Sequence, residues 1–318
     1  MNRRNFLIQS TAVGLLTLLA GAARAASRTI TDDRNVVLNL SDDAKRVAAI
    51  SYFGADVALA LGLTPVATTY MVEGRNPDHL LDKLEGVAKI GQRASPNLEL
   101  LAQAKPDLIV AIKRYTEANA AKLEQIAPYL AVRLETPDDA DRDLLLVAEA
   151  LGKKAEGEKL VADYHAEFDA LVAKAPKDRG IKYLYFYGSG EAPWTFYEDD
   201  VTASILTALG GVNVAGKNPT PEVPDNTAFE MNLEAMLVAD PDVIIVYDYG
   251  PDRPFETNPI WSSLRAVQQG KVHFVKDHWI ESHGPIARRV VINEAAAILY
   301  PDVFKAEDPR TIASRILG

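Results

Sequence analysis

Hydrophobic positions along this chain follow two spacings, and the order in which these alternate predicts the architecture. After Arg34, β-branched runs at 36–40 and 47–50 read as strands. The segment 55–61 has helical spacing and stops at Gly62, a residue suited to closing a helix, before a short strand at 66–69. A helical set at 98–104 is ended by Pro106, and 108–112 is an unbroken apolar run of the kind that a parallel sheet buries on both faces. Another helix at 118–126 ends before Pro128. From 138 to 175 the pattern becomes sustained helical periodicity, carried by Leu144, Val147, Ala148 and Leu151 and then by Leu160, Tyr164, Phe168 and Leu171, with Gly152 as a break near its first third. Alternation resumes at 183–187 and runs through 204–209, 243–247 and 272–275 to a terminal helix at 285–299. The pattern predicts an α/β chain in which a first lobe at 34–137 and a second at 177–318 flank one long connecting helix at 138–176.

The two halves share a repeat. Asn97-Leu98-Glu99 leads through Ala104-Lys105-Pro106-Asp107 to Leu108-Ile109-Val110, and Asn232-Leu233-Glu234 leads at identical spacing through Ala239-Asp240-Pro241-Asp242 to Val243-Ile244-Ile245. A helix, a Pro-Asp turn and an apolar strand in the same order twice argue for two related lobes, and two lobes leave a cleft in which ligand sites preferentially form.

Composition adds location. Residues 1–25 carry a basic start at Arg3 and Arg4, an apolar stretch at 12–20, and Ala23-Arg24-Ala25 as a small-x-small cleavage site. This reads as a cleaved signal peptide, too short to anchor in a bilayer, and Arg3-Arg4-Asn5-Phe6-Leu7 resembles a twin-arginine export signal. The absence of cysteine excludes disulfides, thiolate metal sites, a cysteine nucleophile and a lipid anchor on cysteine. A soluble exported chain of this kind is expected in a bacterial periplasm. Without the three leader arginines, 31 basic residues face 44 acidic ones, a net charge of −13 that argues against nucleic acid as a partner.

Several segments carry a family resemblance: Ile90-Gly91-Gln92-Arg93-Ala94-Ser95-Pro96-Asn97-Leu98-Glu99, Lys105-Pro106-Asp107-Leu108-Ile109-Val110, Asp240-Pro241-Asp242-Val243-Ile244-Ile245-Val246, Trp261-Ser262-Ser263-Leu264-Arg265-Ala266-Val267 and Gly284-Pro285-Ile286-Ala287. In order and spacing they resemble the periplasmic binding proteins for ferric siderophores and cobalamin, nearest to the ferrichrome-binding branch. The resemblance implies two Rossmann-like lobes joined by a single rigid helix with the ligand cleft between them. It also implies a non-enzymatic monomer with no cofactor, which captures an iron(III)–siderophore complex of hydroxamate or carboxylate type for the permease subunits of an ABC importer. It places Arg93 in the cleft against iron-chelating oxygens and Arg114 where relatives put a ligand-pairing arginine. Guanidinium suits that task, since it stays charged and offers a planar set of donors.

Aromatics at strand ends, Tyr70, Tyr115, Trp194, Tyr197 and Trp279, are expected to wall the cleft, Trp279 standing where the resembled branch has a ligand-contacting tryptophan. Arg253 and either Arg288 or Arg289 are further expected contacts, helical spacing letting at most one of the last two face the ligand. Glu99 and Glu234 match the glutamates that dock such proteins onto the two membrane subunits. Val201-Thr202-Ala203, where the catecholate branch often reads Ser-Arg-Phe, argues against an arginine-triad catecholate site.

Rival readings remain at this level. Tyr70 as an axial ligand would suit a haem importer, and cobalamin is a third cargo. The histidines His79, His165, His273, His278 and His283 lack tight ligand spacing and read as surface or satisfied groups rather than a free-metal site. For an exported hydrolase, Gly188-Ser189-Gly190 follows a strand but lacks the Gly-x-Ser-x-Gly elbow, and the carboxylates Glu198, Asp199 and Asp200 read as a solvated helix start rather than an acid–base pair.

Overall fold

A computed structural model describes residues 27–41, 45–223 and 226–318. The expected leader at 1–25, with its paired arginines, lies outside these residues. The described chain opens with an antiparallel hairpin of β1 (Ser27–Thr31) and β2 (Val37–Ser41).

The first sheet contains β3 (Val47–Ile50), β4 (Ala67–Tyr70), β5 (Ala88–Gln92), β6 (Ser95–Pro96), β7 (Leu108–Ile112) and β8 (Tyr129–Val132), in the order β6-β5-β4-β3-β7-β8. All neighbours are parallel except the short β5–β6 pair. Every residue of β3, β7 and β8 is buried, which explains why their sequences are continuous apolar runs. Alternate side chains feed two cores: Val47, Leu108, Val110 and Leu130 pack on one face, Ala48, Ile109, Ala111 and Tyr129 on the other. Helices α1 (Tyr52–Ala60), α2 (Leu98–Gln103), α3 (Lys113–Thr116) and α4 (Ala120–Glu124) cover the faces and connect the strands.

The connecting segment is two helices, not one. α5 (Pro137–Ala150) and α6 (Lys154–Lys174) are separated at Gly152, whose φ of +68° is left-handed and ends α5. α5 belongs to the first lobe through Leu144, Val147 and Ala148. α6 makes the crossing: Leu160 and Val161 pack against the first core, while Tyr164, Phe168 and Leu171 pack in the second.

The second sheet contains β9 (Lys182–Tyr187), β10 (Trp194–Phe196), β11 (Val212–Asn213), β12 (Ala228–Glu230), β13 (Val243–Tyr247) and β14 (Val272–Val275). Its order is β12-β10-β9-β13-β14, with β11 beside β9. β9, β13 and β14 run parallel, and β10 and β12 are antiparallel additions. The accompanying helices are α7 (Val201–Ala208), α8 (Leu233–Ala239), α9 (Pro254–Thr257), α10 (Arg265–Gln268), α11 (Asp277–Ile280), α12 (Ala287–Leu299) and α13 (Pro309–Leu317). The hydrophobic pattern stops at 299 and does not reveal α13. This helix returns to the first lobe, where Ala313 packs with Ala49, Ala55, Leu59 and Leu80, so residues 177–318 do not all belong to the second lobe.

The sequence repeat has a mechanical role. In both copies an asparagine caps the helix, Asn97 accepting from the Glu99 and Leu100 N–H groups and Asn232 from that of Ala235. In both copies the turn aspartate then pins the start of the neighbouring strand. The Asp107 carboxylate accepts from the Arg46 N–H and that of Asp242 from the Lys182 N–H.

Charged groups hold the lobes together. The Asp56 carboxylate on α1 accepts from the Ile286 and Ala287 N–H groups at 3.0 and 2.8 Å, capping α12 from the opposite lobe. A Cβ on Gly284 would collide with that carboxylate, which accounts for the glycine of the Gly284-Pro285 motif. Arg75 donates to Asp277, to the Asp248 carbonyl and to the Tyr247 hydroxyl. Lys276 pairs with Asp78, and Arg310 pairs with Asp82 to fasten α13 onto the first lobe.

Buried ionisable groups, Asp56 of this joint among them, give stability a pH dependence. Burial pushes the Asp56 carboxyl up to about 7, and burial with repulsion from Asp33 does the same to Asp143. A carboxyl that binds its proton more tightly folded than unfolded stabilises the fold below its unfolded pKa of about 4, and that contribution is lost as pH rises through the folded value. His79, His273 and His283 have lowered pKa values, chiefly through burial, and act oppositely, but only below about pH 6.5 where the unfolded imidazole gains its proton. The melting temperature should therefore fall between about pH 6.5 and 8. A flat or rising profile over that window, followed by circular dichroism, would contradict the assignment.

Candidate functional site

In open α/β sheets ligands gather beyond the carboxyl ends of parallel strands. Here those ends face each other across the lobes. Arg93 follows β5, α3 follows β7, Leu134 follows β8, and Tyr187 ends β9. Between them lies a cavity of about 410 Å³. The first lobe lines it with Arg93, Arg114, Tyr115, Leu134 and Glu135. The second contributes Tyr187, Trp194, Phe196 and Asp200, with Thr227 and Ala228 beside them, Ile280 at the end of α11 and His283 in the turn before α12.

The cationic side is organised around one phenol ring. The Arg93 and Arg114 guanidinium carbons lie 4.5 and 4.9 Å from the centroid of the Tyr115 ring, whose hydroxyl accepts from Arg93 Nη2 at 3.1 Å. Arg114 also donates to the Leu134 carbonyl at 3.2 Å. The other end of Arg93 is anchored across the lobes, where Nη1 pairs with Glu281 and Glu281 in turn accepts from the Phe53 N–H at 3.0 Å. Burial alone would favour loss of the Arg93 proton, but Glu281 and the neighbouring phenols raise its pKa and keep it charged.

The facing wall is aromatic. Trp194 opens β10 with 49 % of its surface exposed, and Phe196 two residues on stacks against Tyr185 at 4.8 Å. Tyr187 packs between Tyr247 and Tyr249. Asp200 caps α7, accepting from the Thr202 and Ala203 N–H groups; burial pushes its carboxyl up to about 6, with those donors and Arg114 opposing the shift. Thr202, in place of the arginine of the catecholate pattern, is buried and donates to the Trp279 carbonyl.

Of the residues expected at the ligand, Arg93, Arg114, Tyr115 and Trp194 meet at this cavity. The others lie elsewhere. Trp279 is fully buried, its indole N–H donating to Glu294 and its ring packed on Tyr185, so it is a core residue rather than a cleft wall. Arg288 points away, pairing with Asp141 over the Tyr164 ring, and Arg289 lies against Asp163 and Glu167 on α6. Neither lines the cavity. Arg253 pairs with Asp248 and covers the Phe274 ring at 3.9 Å. Tyr197 stacks on Phe229, and Tyr70, half-buried at the end of β4, is also outside the cavity lining. Glu99 and Glu234 are exposed in the first turns of α2 and α8.

Sequence reasoning missed Tyr187, Phe196, Asp200 and His283. Tyr187 and Phe196 stand at strand ends, the same signal that drew attention to Trp194. Asp200 carried the signature of a helix cap, and His283 had none. His79, His278 and His283 are buried rather than surface groups, and His278 pairs with Glu294 at 2.7 Å. Among the described residues no cluster of three or more metal-ligating side chains occurs. Packing accounts for the first glycine of Gly188-Ser189-Gly190, because a Cβ on Gly188 would lie 2.5 Å from the Tyr247 carbonyl oxygen.

Known proteins resemble the chain in sequence and in fold. The chain is 26 % identical over 275 residues to the Fe(3+)-citrate-binding protein YfmC of Bacillus subtilis, covering 83 % of this chain and 84 % of that one. It is 24 % identical over 298 residues to the Fe(3+) dicitrate-binding periplasmic protein FecB of Escherichia coli, covering 90 % and 94 %. Its fold matches that of Staphylococcus aureus SirA complexed with staphyloferrin B with a TM-score of 0.68 at 23 % identity, over 86 % of this chain and 98 % of that one. The family profile described as periplasmic binding protein matches residues 47–278, from the start of β3 in one lobe into α11 beyond the parallel sheet of the other, and the chain belongs to that family.

Proposed function

We propose that this protein captures a ferric chelate rich in carboxylate oxygens, of the ferric-citrate type, and delivers it to an ABC importer. The observation that carries this reading is the placement of Arg93 and Arg114 about one tyrosine ring, opposite an aromatic wall. A ferric carboxylate chelate presents clustered anionic oxygens to the first and carbon surface to the second. The acidic chain gives no general attraction for anions, so the local arginines must supply it. Two relatives named for ferric citrate support the choice of chelate. The haem reading depended on Tyr70, whose position outside the cavity lining does not favour it.

We further infer that the chain is exported through its leader, acts as a periplasmic monomer, and performs no chemistry on its cargo. Among the described residues no helix is long and apolar enough to cross a membrane. Glu99 and Glu234, one at the exposed start of a helix in each lobe, are the groups through which it would address two permease subunits.

Tryptophan fluorescence tests the ligand assignment. Trp194 lines the cavity while Trp261 and Trp279 are buried away from it. Saturable quenching is expected with ferric citrate, and little or none with metal-free citrate, haem, cobalamin or a ferric tris-catecholate. Trp194→Phe should lose the signal yet retain calorimetric affinity within about tenfold, since Phe preserves most of the apolar contact. Preference for haem, or no response to any ferric chelate, would overturn the reading.

A further inference from the structure

His283 lines the cavity at the turn before α12, is 8 % exposed, and completes no hydrogen bond at either ring nitrogen. The Leu134 backbone favours its protonated form, but the Leu134 carbonyl already accepts from Arg114. An unpaired imidazole in such a place costs stability, and a ligand oxygen is the partner it lacks. The charged groups around it come from several elements: Arg114 on α3, Arg93 after β5 and Asp139 on α5 act on it directly, and Glu135 and Asp200 share the cavity wall. Glu281, two residues before it, is occupied by Arg93 and the Phe53 N–H.

Resting on the ferric-carboxylate reading of the cleft, we propose that His283 contacts the ligand and takes up a proton from solvent as the anionic chelate enters. In the empty protein, burial and the two arginines hold its pKa at about 3, so the ring is neutral. A chelate between the arginines reverses the local potential. Imidazolium is then favoured, and both ring nitrogens become donors to ligand oxygens. Binding therefore tightens as pH falls through the raised pKa of the complex, until the chelate itself begins to protonate.

The test is calorimetry of the mature chain with ferric citrate in excess citrate, at about pH 6, in two buffers of different ionisation enthalpy. Wild type should take up about one proton more per chelate than His283→Gln, and its affinity relative to that variant should rise by up to about tenfold per pH unit from pH 7 to 5. His283→Asn gives the same comparison should the glutamine variant be destabilised. The wild-type protein also provides a readout without mutation, because gallium citrate should shift its His283 ring ¹⁵N signals from neutral to imidazolium values. Binding with no difference in protons or pH slope, or a His283 signal that stays neutral, overturns the proton coupling alone. Absence of any chelate binding by wild type overturns the reading of the cleft as well.

Discussion

Replacing Arg93 and Arg114 together by alanine should weaken ferric-citrate binding by roughly 1.5–3 kcal/mol for each charge-assisted hydrogen bond removed, or about a hundredfold to ten-thousandfold in Kd. Arg93 is also structural. Its guanidinium neutralises Glu281, whose side chain is only 3 % exposed, so alanine at 93 strands a buried carboxylate with the Phe53 N–H as its remaining partner. Removing one member of a buried pair is more damaging than removing both. The informative variant is therefore Arg93→Ala with Arg114→Ala and Glu281→Gln, which discharges the stranded group while keeping an acceptor for Phe53. Calorimetry and thermal melting together decide the matter. A well-folded variant with unchanged affinity would remove both arginines from the site.

Reversing Glu99 and Glu234 to lysine should abolish chelate uptake by cells carrying the matching importer, with ligand affinity unchanged. Both side chains are exposed, and Asn97 and Asn232 rather than the glutamates cap their helices. The stability at risk is then limited to the interaction of each acid with its helix dipole, about 0.3–1 kcal/mol at an exposed site. At a docking rim the same charges set orientation and encounter rate, so reversal of one per lobe acts on both halves of a two-fold contact. A drop in uptake that merely follows the amount of folded protein would assign the glutamates to helix stability. Normal uptake would remove them from docking.

The family and most central strands were legible because those signals are local. β3, β7 and β13 are buried on both faces, and that environment writes itself into four or five consecutive apolar residues. The repeat was legible for a related reason: an asparagine cap, a short helix and an aspartate that pins the next strand are close neighbours in the chain, and both lobes use them. The antiparallel strands β10 and β12 and the short β6 were not, since two or three residues carry no periodicity.

The cleft was legible only where the family resemblance pointed, as with Arg93 and Arg114, or where an aromatic at a strand end sufficed, as with Tyr115 and Trp194. Trp279 has the composition of a ligand contact and lies in the core because Glu294, on a different helix, takes its N–H. Arg288 is bound by Asp141, 147 positions earlier in the chain, and Glu281 reaches Phe53 across 228. Layers, repeat and family are therefore properties of the chain's own pattern. Which charges face the ligand and which hold the lobes together is settled only by folding, because a guanidinium or imidazole is directed by its nearest partner in space, and those partners come from the opposite lobe or from distant helices.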